Sequence, residues 1–284
     1  MPDVRKFLLL PAVAFQYLHS MQPTRKTWTR DELLIALNIY QKLNFGQLHS
    51  RNPAIIALAD KLGRGANSVA MKLNNFASLD PVQQMRGIKG LQGASALDRT
   101  VWTEFHENLA ESVAASEESL RNLFDADAKS EIEVIPKEGI RVLRMPTGPT
   151  TVASEVKTRR GQSYFRNAVL NNFGGRCGVT QLDIRELLIA SHILPWGQYP
   201  QERLNVRNGL CLSRLHDAAF DMHLIAFDDD LRLLLSPRLK EALPRKIVAD
   251  TFGAYAGQPL VLPEDAIPPD PEFLRRHRAA IATG

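Results

Sequence analysis

The chain has 284 residues and a formal net charge of +4, with 35 Lys and Arg against 31 Asp and Glu. Apolar residues make up 44% and charged residues 23%, which excludes an intrinsically disordered chain and leaves room for one large or two smaller cores. Its basicity is compatible with a polyanionic partner but does not by itself identify one. Two distant cysteines, Cys177 and Cys211, exclude a disulfide framework and a four-cysteine zinc ribbon. They read as buried thiols, which fits a cytoplasmic protein.

Val4-Arg5-Lys6 and the apolar run Phe7–Leu18 imitate the start of a signal peptide. The run falls short of the about 20 residues that a membrane span needs, and no small-x-small cleavage site follows. Met21 offers a second start. Residues 1–26 are therefore expected to be a poorly ordered tail, and no membrane association is expected. Thr29-Arg-Asp-Glu32 spells a capping box, and Leu33, Leu37 and Tyr40 recur at helical spacing, predicting a helix over Arg30–Lys42. Asn52-Pro53 starts a second helix, and Gly63 stops it. A third helix follows the Arg64-Gly65 turn, with Val69, Leu73 and Phe76 inward. Together these make residues 27–80 a helix-turn-helix-like module. Its last helix is expected to present Asn67, Ser68, Lys72, Asn74 and Asn75 outward. Arg64, Asn67 and Lys72 are the candidates for contacting DNA.

Residues 81–158 are expected to hold a loop to residue 97 and a long helix from an Asp98 N-cap to about Phe124. Short strands Ile132–Ile135 and Ile140–Leu143 should follow, then a linker marked by Pro146, Gly148 and Pro149. A helix over Gln162–Phe173 ends at Gly174-Gly175. Its basic start supplies Arg159, Arg160 and Arg166 as further candidates for phosphate contact. An apolar strand, Leu187–Ala190, leads to His192. Asn208-Gly209 precedes a second strand, Leu210–Ser213, and His216-Asp-Ala-Ala-Phe-Asp221 opens a short helix. Asp217 and Asp221, at i and i+4, share one face of it. A hairpin joins Leu224–Phe227 to Leu231–Leu235 through an acidic turn. Helices over Pro237–Phe252 and Glu272–Ala280 complete the chain.

Histidine is the natural general base near neutral pH, since its unperturbed pKa is about 6.5. The ordered set His192, Asn208 and His216–Asp221, behind the helix Arg160-Gly-Gln-x-x-Phe165-Arg166, resembles the HNH endonucleases of the ββα-metal class, in particular a bacterial restriction-type branch. The likeness covers Arg159–Ser236. It implies an α+β, mostly α chain with a helical N-terminal module and a ββα nuclease at 159–240, followed by an extension at 241–284. It also implies hydrolysis of DNA phosphodiesters with 5′-phosphate and 3′-hydroxyl products in restriction or defence. His192 would be the base and Asn208 the orienting residue. His216, Asp217 and Asp221 would bind a divalent metal, and their oxygen-rich set favours Mg²⁺ or Mn²⁺ over Zn²⁺. The sequence departs from the family at Ser191, where an aspartate or histidine ligand is common. A catalytically impaired DNA-binding regulator and an RNA- or structure-directed nuclease are the alternatives. A homodimer is expected, because cutting a duplex with such a site needs two sequential nicks or two active sites.

Overall fold

The computed structural model describes residues 26–127, 130–144 and 153–281. The expected tail up to residue 25 and the linker residues Pro146, Gly148 and Pro149 lie outside them. Helix α1 (Arg30–Tyr40) opens on the Thr29/Glu32 capping box. Helix α2 (Pro53–Leu62) is capped by Asn52, whose side chain accepts from the Ala54 amide, and stops at Gly63 in the left-handed region (φ 61°). Helix α3 is Ala66–Ala77.

The expected loop over 81–97 contains a short helix, α4 (Pro81–Met85). The expected long helix splits into α5 (Ala96–Glu107) and α6 (Leu109–Leu123). Asn108 breaks it, with non-helical φ −128° and ψ 57°. Ser95 rather than Asp98 is the N-cap of α5. Asp98 sits at the third helical position and completes a capping box.

Strands β1 (Ser130–Ile135) and β2 (Gly139–Arg144) form an antiparallel hairpin. Helix α7 (Ala153–Asn172) starts earlier than the sequence suggests, so the domain boundary expected at 158/159 falls inside it. Strands β3 (Leu188–His192) and β4 (Gly209–Ser213) pair antiparallel with His192 opposite Gly209. Helix α8 (Arg214–Asp221) follows without a gap, capped by Ser213. A third hairpin pairs β5 (Ile225–Phe227) with β6 (Leu233–Leu235). The expected helix over 237–252 is two pieces, α9 (Pro237–Glu241) and α10 (Lys246–Thr251). Pro244 lies between them and cannot donate a helical hydrogen bond. Helix α11 is Pro271–Arg278. No helix among the described residues is long and apolar enough to cross a membrane.

These elements bury two apolar cores. The first gathers Leu37, Ile55, Leu73, Phe76, Phe105 and Leu120 with Ile132 and Val134 of β1. The second gathers Val169, Phe173, Leu210, Leu212, Phe220 and Phe227. Helix α7 serves both, sending Tyr164 into the first and its neighbour Phe165 into the second. Its amides also satisfy β1 along the edge not paired with β2. Asn167 Oδ1 accepts from the Val134 amide (2.8 Å), its Nδ2 donates to the Ile132 carbonyl (3.2 Å), and Asn171 Nδ2 donates to the Val134 carbonyl (2.7 Å). Every one of these groups is buried, where an unpaired backbone amide or carbonyl is costly.

Candidate active site

β3, β4 and α8 form a continuous ββα unit, and α7 covers it. Close packing is possible because residue 209 is glycine. A Cβ there would lie 2.3 Å from Val169 Cγ2 and 2.9 Å from Phe165 Cζ. The same closeness brings the Phe165 ring flat against the His192 imidazole, with centroids 3.8 Å apart and planes 12° apart. Trp196 meets that imidazole edge-on at 5.3 Å. His192 Nε2 lies 3.0 Å from the Arg203 carbonyl oxygen. A carbonyl only accepts, so Nε2 carries the proton and Nδ1 holds the free lone pair. Burial lowers the pKa of His192 against the opposing pull of the Arg203 carbonyl, which favours the neutral, basic form.

The 193–208 loop that carries this carbonyl is tied together by Asn208, which is fully buried. Its Oδ1 accepts from the Leu194 amide (2.8 Å), and its Nδ2 donates to the carbonyls of Leu194 (3.3 Å) and Glu202 (3.1 Å). Its own carbonyl accepts from Ile193 N (2.9 Å). Asn208 thus acts on the imidazole at one remove, through the loop.

Side chains alternate along a strand, so Ser191 faces away from the Phe165 side and toward α8. Its hydroxyl is buried without a hydrogen bond of normal geometry, beside the Asp217 carboxyl. Burial raises Asp217 above the usual carboxylate range, while the Ser191 hydroxyl and Arg214 pull the other way. Burial and the charge of Asp217 raise Asp221, and His223 opposes this. Two neighbouring carboxylates that resist ionisation, next to a buried hydroxyl, fit a hard cation with oxygen ligands.

His216 does not join this group. It is buried, with Nδ1 2.9 Å from Ser213 Oγ and Nε2 3.1 Å from the Thr251 carbonyl, and it packs on Phe252 and Tyr255. Both ring nitrogens are engaged, so the expectation of a His216 ligand is replaced by a role in docking α10 onto α8. Among the described residues, no three His, Cys, Asp or Glu side chains converge as a metal cage. Mg²⁺ does not require one, since it commonly binds through one or two carboxylates, waters and substrate phosphate.

Residues 177–228 match the family model HNH_2, described as HNH endonuclease. The HNH match begins at Cys177, just after α7, and ends beyond β5, so it covers the ββα unit and the residues discussed above except Phe165 and Val169 of α7 and the partners of His216 in α10 and after it. No curated protein matches the chain.

The expected DNA-contact residues are dispersed. Lys72 is buried against both carboxylate oxygens of Asp98 (2.9 and 2.8 Å). Arg64 donates to the carbonyls of Lys26 and Thr27 and to Glu32, and its guanidinium covers Trp28. Asn67 is exposed, but Asn75 is buried and donates to the Gly93 carbonyl. The expected recognition face of α3 is therefore largely sealed against α5 and the chain leading into it. Arg160 pairs with Glu118. Arg166 donates to the carbonyls of Leu188 (2.7 Å) and Arg185 (3.1 Å), fixing the entry to β3. Arg159 is exposed. Sequence reasoning missed Gly209 as a packing requirement and the Arg203 carbonyl as the anchor of the imidazole. A backbone acceptor carries no side-chain signal.

Proposed function

We propose that this chain is a divalent-metal-dependent endonuclease that hydrolyses DNA phosphodiesters, with His192 as general base. The observation that carries this reading is the engagement of His192 Nε2 by a carbonyl, which leaves Nδ1 to take a proton from water as its oxygen attacks phosphorus. Phe165 and Trp196 hold the ring, and Asn208 holds the loop that anchors it. Asp217 and Asp221, with the Ser191 hydroxyl, would bind Mg²⁺ or Mn²⁺. Bound there, the ion would neutralise charge at the phosphate and the leaving oxygen. His216 is left out of this ligand set.

Free cations suited to the DNA backbone lie beyond α8. Arg238, Lys240 and Arg245 are exposed and make no ion pair among the described residues. The segment carrying them is joined to α8 by the bond from His216 to Thr251. These residues, with Arg214 and Arg159, are better candidates than Arg64, Lys72, Arg160 or Arg166. The resemblance to restriction-type nucleases supports a defence role in the cytoplasm, with paired copies making the two nicks.

The test is plasmid nicking by purified protein with Mg²⁺ or Mn²⁺. His192→Ala should lower the rate by on the order of 10²–10⁴-fold. A wild-type protein that nicks with neither ion would overturn the reading. It would favour the alternative that Ser191 supports, an HNH-fold DNA-binding regulator without cleavage.

A further inference from the structure

A cavity of about 410 Å³ lies between the N-terminal helices and the 193–208 loop, within the roughly 300–1,000 Å³ of small-molecule sites. Its walls include Trp102 of α5, Tyr164 of α7, and Leu204 and Val206 of the loop, with Asp80 and Glu202 among its polar residues. Trp102 is held by Tyr40 edge-on at 5.9 Å and by His106 at 4.2 Å.

The polar chemistry of this cavity selects its ligand. Asp80 is buried and accepts from the Tyr40 hydroxyl (2.7 Å) and the Val82 amide (2.8 Å), and each carboxylate oxygen retains a further lone pair. Glu202 accepts from Asn205 through Oε2, which leaves Oε1 to accept another donor. The cations in the wall are already engaged. Arg207 pairs with Asp270 (3.1 Å). Burial keeps His106 below the usual histidine range, with its Nδ1 on the Trp102 carbonyl and its Nε2 on the Gln41 amide. A phosphate entering here would meet two carboxylates and no free cation. A flat, uncharged ring with N–H donors would lie against the apolar wall and donate to the acids.

We infer that this cavity binds a nucleobase, supplied by a free nucleoside or by a base swung out of a single strand. Its occupancy acts on the catalytic loop, because the same segment presents the Glu202 carbonyl to Asn208 and the Arg203 carbonyl to His192. This second half rests on the nuclease reading; the binding half does not.

Binding is measured on the full chain by saturation-transfer NMR with adenosine, guanosine, cytidine and thymidine, their 5′-triphosphates and single-stranded oligonucleotides. Two variants accompany the wild type: Val82→Trp, which fills the cavity from α4, and Trp102→Leu, which removes its wall, each checked by its melting temperature. A nucleoside should bind wild type, its triphosphate on the order of tenfold more weakly, and both variants should lose the nucleoside. Loss of oligonucleotide binding in the variants without any nucleoside binding assigns the base to a strand. If neither ligand class binds wild type, or if the folded variants bind as wild type does, the inference is overturned. In plasmid nicking, the bound ligand should change the wild-type rate and leave that of Val82→Trp unchanged. An unchanged wild-type rate overturns the coupling alone.

Discussion

The two cores flanking α7 handle charge in opposite ways. On the N-terminal side, cations are drawn inward. Lys42 and Glu117 pair with their side chains almost fully buried, Asn38 donates to the same carboxylate, and Lys72 meets Asp98 in the same manner. On the C-terminal side, the buried and half-buried polar groups include neutral amides and imidazoles bound to backbone carbonyls, as at Asn208, His192, His216 and His277. The lysines and arginines of α9 and α10 stay at the surface. The first arrangement gives a rigid framework with little free charge on α3. The second leaves the C-terminal half with uncharged imidazoles inside and cations at its surface.

Breaking one partner of a buried pair tests the framework most severely. Glu117→Leu strands Lys42 and should cost about 3–5 kcal/mol in urea unfolding, whereas Lys42→Met with Glu117→Leu should recover most of that stability. Equal stabilities for the single and double variants would show that the pair is not energetically closed. Asn208→Ala is the counterpart in the HNH region. It leaves the Leu194 amide unpaired and should cost about 1–3 kcal/mol, and nicking should fall further than stability explains.

Acid should act on the histidine side. Burial holds His277 down at about 4, against 6.5 for the free side chain, with the Phe220 carbonyl opposing and His223 adding to the shift. Between these values the unfolded chain binds the additional proton. Stability is therefore complete above pH 6.5, declines as pH falls through 6.5, and reaches its floor near 4. Denaturation midpoints recorded across that range should decline less steeply for His277→Phe. The smallest effect on stability belongs to the surface. Arg238→Gln, Lys240→Gln and Arg245→Gln together should shift unfolding by only about 0.5 kcal/mol each or less. They should still flatten the salt dependence of DNA binding, by about 0.9 in log–log slope for each phosphate no longer neutralised. An unchanged slope would remove α9 and α10 from the DNA footprint.

Much of the ββα unit was legible because its signals are local. The apolar strand ends and the Asn208-Gly209 step lie within a few residues of what they control. The fate of Lys72 was not legible. Its position on α3 reads as outward until α5, a distant segment, brings Asp98 against it. His216 illustrates the same limit. Its place in the motif suggested a ligand, but Thr251 claims its Nε2 from a segment far along the chain. Asn108 ends a helix that periodicity carries through, since the apolar positions on either side belong to one core despite the kink.

The amide contacts of α7 along β1 have a consequence for the protein in a crowded solution. A two-stranded hairpin exposes a row of backbone donors and acceptors that a foreign strand can zip onto. Asn167 and Asn171 occupy that row at Ile132 and Val134 with side chains in place of a third strand. Helix α7 therefore occupies the edge of β1 on which an intermolecular strand would pair.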